Sequence, residues 1–185
     1  MDGEARITKR LTLRPPGPGD GPGYRALLMH PTVGEWLRPQ PLQPFEPADG
    51  DAWLREDERH WERFGFGPWA VIERQTGDYL GRVGLRWTDV GDQAGIEALW
   101  AIDPERHGEG FAPEAAAAAL EFAAELELDE VVAMILPINA ASRRVAEKIG
   151  MEPAGEVEHA GFDHLLLRAE PRLDGGFVVE AVLPA

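Results

Sequence analysis

The segment Ala101–Glu125, AIDPERHGEGFAPEAAAAALEFAAE, joins an apolar strand end, a turn spaced by Gly108 and Gly110, and an alanine-rich helix. A helix start carries unpaired backbone N–H groups and the positive end of the helix dipole. Glycines just ahead of it let the main chain close around an anion, so strand, glycine turn and helix together suit a diphosphate. Pro113 costs little in the first helical turn, where its missing N–H would have had no partner. A two-glycine turn alone is weak evidence, because the same residues also make a plain tight connection.

The pattern extends to both sides. GIEALWAI (95–102) reads as a strand and VVAMIL (131–136) as a buried one, so 96–136 runs strand, glycine turn, helix, strand. Upstream, WAVIERQTGDYLGRVGLRW (69–87) reads as a hairpin, with strands 69–73 and 79–87 about Thr76-Gly77-Asp78. RLTLR (10–14) alternates like a half-buried strand, and PPGPGDGPG (15–23) reads as a loop. Asp20 is expected to cap a helix carrying Tyr24, Leu27 and Leu28, and a second helix is expected over 49–63 with Trp53, Leu54 and Trp61. Downstream, NAASRRVAEKIGM (139–151) is a short helix capped by Asn139 and stopped by Gly150. The tail GGFVVEAVLPA (175–185) is strand-like, adding an edge strand or joining a dimer contact.

Composition narrows the function classes. A chain of 185 residues, 44% hydrophobic, is expected to form one domain over 1–185, with a core at about 7–170 and an extension at 171–185. It has no apolar run of the roughly 18 residues a membrane helix needs. MDGEARITKR lacks the apolar stretch of a secretory signal, which points to the cytoplasm. The absence of cysteine removes disulfides, thiolate metal sites and a cysteine nucleophile. The histidines at 30, 60, 107, 159 and 164 show no ligand spacing, so no metal is expected. A formal charge of −15 argues against nucleic acid as a partner. The charge suits a cationic or amine-bearing substrate, and equally serves solubility alone.

Two nucleotide readings fail on detail. GEGFAP puts Pro113 where a dinucleotide fingerprint needs its third glycine or alanine, and the acids Asp129 and Glu130 precede the strand VVAMIL instead of following it. No Gly-Lys-Ser/Thr follows the glycines, which excludes a Walker-type phosphate loop.

IEALWAIDPERHGEGFAPEA followed by NAASRRVAEKIGM resembles the acetyl-coenzyme-A-binding core of the GNAT superfamily of N-acetyltransferases, and within it the branch that acetylates the N-termini of ribosomal proteins. ITKRLTLRP resembles that branch's first strand and TGDYLGRVGL its central hairpin, so the likeness runs from about Ile7 to Arg168. Three residues depart from the pattern: His107 stands for a usual Gln or Arg, Pro113 for a frequent Thr and Leu99 for a frequent Gly.

The resemblance implies an α/β fold, a mixed and mostly antiparallel seven-stranded sheet flanked by helices. It implies acetyl-CoA as cofactor, with coenzyme A as product, and direct transfer to a primary amine. The strand Trp100, Ala101 and Ile102 would pair with the pantetheine arm. The amides of His107, Gly108, Glu109, Gly110, Phe111 and Ala112 would hold the pyrophosphate. Asn139 would serve as both helix cap and cofactor contact. Ser142 would contact the cofactor and donate a proton to the departing thiolate, or instead bond to nearby backbone. Glu97 would accept the amine's proton, directly or through water, or be a solvated strand residue. Glu147 and Lys148 read as structural or minor phosphate contacts. Of the tryptophans, Trp36, Trp69 and Trp87 are candidates to line the acceptor cleft, with a core role the competing reading. The acceptor is left open among a protein N-terminus, a cationic small molecule such as an aminoglycoside or polyamine, and an amino-acid-like metabolite. A homodimer is an open expectation. The alternative in a different class is a catalytically silent acyl-CoA sensor, which would keep the glycine turn without the chemistry of Glu97 and Ser142.

Overall fold

A computed structural model describes residues 5–38, 42–173 and 180–181. Nine strands form one sheet: β1 (Arg6–Ile7), β2 (Leu11–Arg14), β3 (Pro68–Glu73), β4 (Tyr79–Val90), β5 (Gln93–Ile102), β6 (Val131–Ile135), β7 (Glu152–His159), β8 (Phe162–Ala169) and β9 (Glu180–Ala181). Five α-helices are described: α1 (Gly21–Met29), α2 (Pro31–Leu37), α3 (Pro47–Phe64), α4 (Phe111–Glu125) and α5 (Ala140–Lys148). The strand order is β7-β8-β6-β5-β4-β3-β2-β1-β9. The sheet has nine strands where seven were expected, and β1 and β9 have two residues each. β9 pairs antiparallel with β1, so the tail adds an edge strand there, while residues 174–179 and 182–185 lie outside the described set.

Antiparallel pairing runs throughout except between β5 and β6, which are parallel. Parallel neighbours need a crossover, and α4 supplies it. The alanine run explains how α4 fits: Ala115, Ala116, Ala118 and Ala119 are buried with Leu85, Ile96, Ala98 and Val131 of the sheet. Small side chains let the helix sit close to the strands.

Alternation along β5 divides the two faces of the sheet. Ile96, Ala98 and Ile102 join the core under α4. Ala101, one residue out of phase, packs against Leu27, Leu28, Val33 and Phe45 on the opposite side. That second layer rests on a buried polar cluster. Arg82 of β4 donates to Asp57 of α3 at 2.8 and 2.7 Å, and the Tyr24 hydroxyl of α1 donates to the same carboxylate at 2.8 Å. α1 lies against Tyr79 because Gly23 has no side chain, since a Cβ there would fall 2.5 Å from the ring.

The structure corrects two local expectations. Asp20 precedes α1 as expected, but its side chain makes no helix-capping bond. Its carboxylate is drawn instead to Arg14, at 2.7 Å from each of two guanidinium nitrogens, and to the Gly17 N–H at 2.8 Å. Trp69, a candidate cleft residue, is 0% exposed and packs between Trp61 and Phe122, with ring centroids 6.1 and 5.2 Å away.

Candidate active site

The sheet opens where its hydrogen bonding changes sense. β5 and β6 share the register pair Glu97↔Val132, and beyond it the two strands part. A cavity of about 470 Å³ fills the gap, walled by Ala98–Ile102 on one side and Ala133–Leu136 on the other. Beyond that pair the facing edge of β5 is no longer covered by β6.

The mouth of this gap is the glycine turn. Gly108 and Gly110 adopt φ of +84° and +85°, in the left-handed region that glycine enters without strain. Among the described residues, the N–H groups of Gly108, Glu109, Gly110, Phe111 and Ala112 have no hydrogen-bond acceptor. Such a run of donors at a helix N-terminus is an anion cradle. His107 is placed differently from its expected role. Its N–H already bonds Pro104 O at 3.1 Å and its ring Nε2 donates to Ile102 O at 2.9 Å, so His107 shapes the cradle's first corner.

A frame of ion pairs holds the turn from outside. Arg106 donates to both oxygens of Glu73, at 2.9 and 3.0 Å, and to both of Glu109, at 2.8 and 3.1 Å. These hydrogen bonds keep the Glu73 and Glu109 carboxyls below the usual carboxylate range and raise the Arg106 guanidinium. Arg10 ties β2 to the turn by donating to Glu109 O at 2.8 Å and to Glu114 at 2.7 Å. Glu114 also accepts from Thr8 Oγ1 at 2.6 Å and Arg10 N at 2.8 Å. Burial pushes the Glu114 carboxyl up, but those hydrogen bonds outweigh it and hold the group below its ordinary value. Sequence reading missed this frame, because Arg10 and Glu114 stand far apart in the chain and only the fold brings them together.

α5 enters from the β6 side. The Asn139 side chain, 8% exposed, accepts from Ser142 N at 3.0 Å and so caps the helix. Ser142 faces the cavity with Asn139, Arg144, Val145 and Lys148. Among the described residues its hydroxyl has no hydrogen-bond partner. Arg144 and Lys148, four residues apart, give this wall positive charge in a strongly acidic chain.

Glu97 lines the cavity from the face opposite α4, its side chain 14% exposed. It forms an ion pair with Arg86, its cross-strand partner, at 3.2 Å. His164 of β8 lines the same cavity. Its Nδ1 lies 2.9 Å from Phe162 O, and because a carbonyl only accepts, Nδ1 carries the proton. With the proton on Nδ1, Nε2 is the ring nitrogen left to act as an acceptor. His164 left no signal in the sequence, where β7 and β8 themselves went unread. Trp36 reaches the cavity from α2 together with Val33 and Leu37. Trp87 does not: it is 44% exposed, outside the cavity lining, with its ring centroid 6.3 Å from that of Phe64.

Trp100, Ala101, Ile102, His107, Gly108, Gly110, Phe111, Ala112, Asn139, Ser142 and Glu97 are thus brought to one cavity. Glu109 contributes main chain beside it, with its side chain turned to Arg106. No group of His, Cys, Asp and Glu suited to a metal occurs among the described residues, and no helix there is long and apolar enough to cross a membrane.

Residues 10–152 match the family described as "Acetyltransferase (GNAT) domain". The uncharacterised protein YkkB of Bacillus subtilis (strain 168) is 34% identical over 100 residues, which span 54% of this chain and 58% of that one. A solved acetyltransferase from Agrobacterium tumefaciens str. C58 is 28% identical, covers 90% of this chain and 94% of its own, and superposes with a TM-score of 0.77. A putative ribosomal-protein-serine acetyltransferase from Vibrio cholerae, 18% identical, shares the fold over 92% of this chain and 100% of its own, with a TM-score of 0.72.

Proposed function

The chain belongs to the GNAT acetyltransferases, and on that premise we propose that it transfers an acetyl group from acetyl-CoA to a primary amine by direct attack in a ternary complex. The observation that carries this reading is the opening between β5 and β6 that ends on the free N–H groups of Gly108–Ala112. The donor set fits a CoA diphosphate: backbone N–H groups at a helix start, with Arg144 and Lys148 on the neighbouring wall. The parted edge of β5 at Trp100–Ile102 suits the amide-bearing pantetheine arm, with the Ile102 carbonyl shared with His107.

When bound, acetyl-CoA supplies an activated acyl thioester. The amine nitrogen bonds to the acyl carbon, the carbon–sulfur bond breaks, and the sulfur leaves with the electron pair. Two proton movements fall to the protein. The Ser142 hydroxyl, unengaged among the described residues, protonates the departing thiolate. The Glu97 carboxylate, fixed by Arg86, accepts the proton lost by the amine. His164 is a second candidate for that acceptor, on the strength of its Nε2 lone pair.

The test is acetyl-CoA-dependent thiol release over peptides, monoamines, polyamines, aminoglycosides and amino acids. Release that requires an amine, with the acetylated amine found by mass spectrometry, supports transfer. CoA binding without release in any arm replaces the transferase by an acyl-CoA sensor.

A further inference from the structure

The acceptor half of the cavity has a composition of its own. Side-chain alternation puts Glu97, Leu99 and Ala101 of β5 on the face away from α4. The register Met134↔Leu166 and the core positions of Ile135 and Leu165 put Met134 and His164 on that same face. Val33, Trp36 and Leu37 of α2 close it, and Leu136 completes the wall. This half of the lining is thus mostly apolar.

The charge distribution in the cavity runs against that of the whole chain. Net charge is −15, yet among the described lining residues Glu97 is the one carboxylate, and Arg86 already neutralises it at 3.2 Å. The remaining charges of the lining, Arg106, Arg144 and Lys148, are positive. The chain's acidity therefore gives no local site for several ammonium groups.

Resting on the acetyltransferase reading above, we infer that the acceptor is a primary amine bearing a single positive charge on an apolar body, and not a polyamine or an aminoglycoside. Every ammonium group taken into the cavity loses its water shell and must be repaid by a carboxylate or hydrogen-bond acceptors. One amine can be met by Glu97, which shares its carboxylate with Arg86, and it reacts as the neutral form. Among the described residues of this wall, a second or third ammonium finds no carboxylate partner. An aryl or branched alkyl body, by contrast, buries apolar surface against Trp36, Leu37, Leu99 and Met134.

The experiment compares kcat/KM for phenethylamine, tryptamine and leucinamide with kcat/KM for spermidine and kanamycin at saturating acetyl-CoA. The monoamines are expected to lead by about 100-fold or more, the cost of stranding a further charge. Leu99→Glu, which adds a carboxylate to the wall, is expected to shift the ratio toward spermidine while the KM for acetyl-CoA stays unchanged. Spermidine or kanamycin equal to or better than the monoamines in the wild type overturns the inference and leaves the acetyltransferase reading standing. CoA binding with no turnover of any of the five amines overturns the inference, and if peptides and amino acids are silent as well it overturns the acetyltransferase reading too.

Discussion

Ser142 separates chemistry from architecture most cleanly, because its hydroxyl faces the cavity while Asn139 performs the capping. A group that protonates the leaving thiolate acts only in the transition state, so Ser142→Ala should lower kcat and spare acetyl-CoA affinity. Its melting temperature should match the wild type, and a loss of several degrees with weak CoA binding would make Ser142 structural. Glu97 and His164 compete for the second proton. Replacing the true acceptor by Gln should cost about 100-fold in kcat/KM, a loss that shrinks at high pH, where free amine is abundant. A pH-independent loss in Glu97→Gln would mark that residue as one that positions Arg86 or the amine. The sequence made Glu97 and Ser142 visible through their places in a motif. His164 was invisible because its role depends on a strand register, and Trp69 misled because an aromatic's identity does not say which face it occupies.

Among the elements, α4 and α5 were legible because both begin on local signals, glycine ahead of one and Asn139 ahead of the other. α2 and the β7–β8 hairpin were not. α2 starts from His30, whose ring Nδ1 accepts from Thr32 N at 3.2 Å, a cap outside the usual set, and β7 is an exposed edge strand without a clear alternation. Removing the α5 cap by Asn139→Ala should cost about 1 kcal/mol of stability, read in a denaturant melt. The start of α4 is tuned by Glu114. Its folded carboxyl lies below the ordinary range, so its contribution is present above that range and lost as pH falls through it. The stability gap between wild type and Glu114→Gln should thus be widest near neutral pH, narrow below the ordinary glutamate range, and close only as pH falls through the lower folded value. A gap that stays constant through the acid range would remove the charge from this account.

At the scale of the molecule, the sheet is one surface with two layers, and each layer serves one half of the cleft. The acceptor-side layer is pinned through Arg82 and Asp57, whose side chains are 4% and 5% exposed. Asp57→Ala strands a buried guanidinium and should cost about 3 to 5 kcal/mol, read as a large drop in melting temperature. A shift of only a degree or two would show that the cluster is dispensable. The order of elements from β2 to α5, α2 excepted, and an anion site at the start of α4 followed from periodicity and the glycine turn. The parting of β5 from β6 did not, because it depends on how far two distant strands stay in register. The central claim is that this opening, entered over the glycine cradle, is an acetyl-CoA site. Gly110 offers a direct test: at φ +85° a side chain there is strained, but its Cβ meets nothing closer than Arg10 Nη2 at 3.5 Å, and it would put a negative charge at the start of α4. Calorimetric titration of CoA should give a single-site isotherm with the wild type and no binding heat with Gly110→Asp, the variant's circular dichroism matching the wild type. Equal affinity in that folded variant would contradict the account.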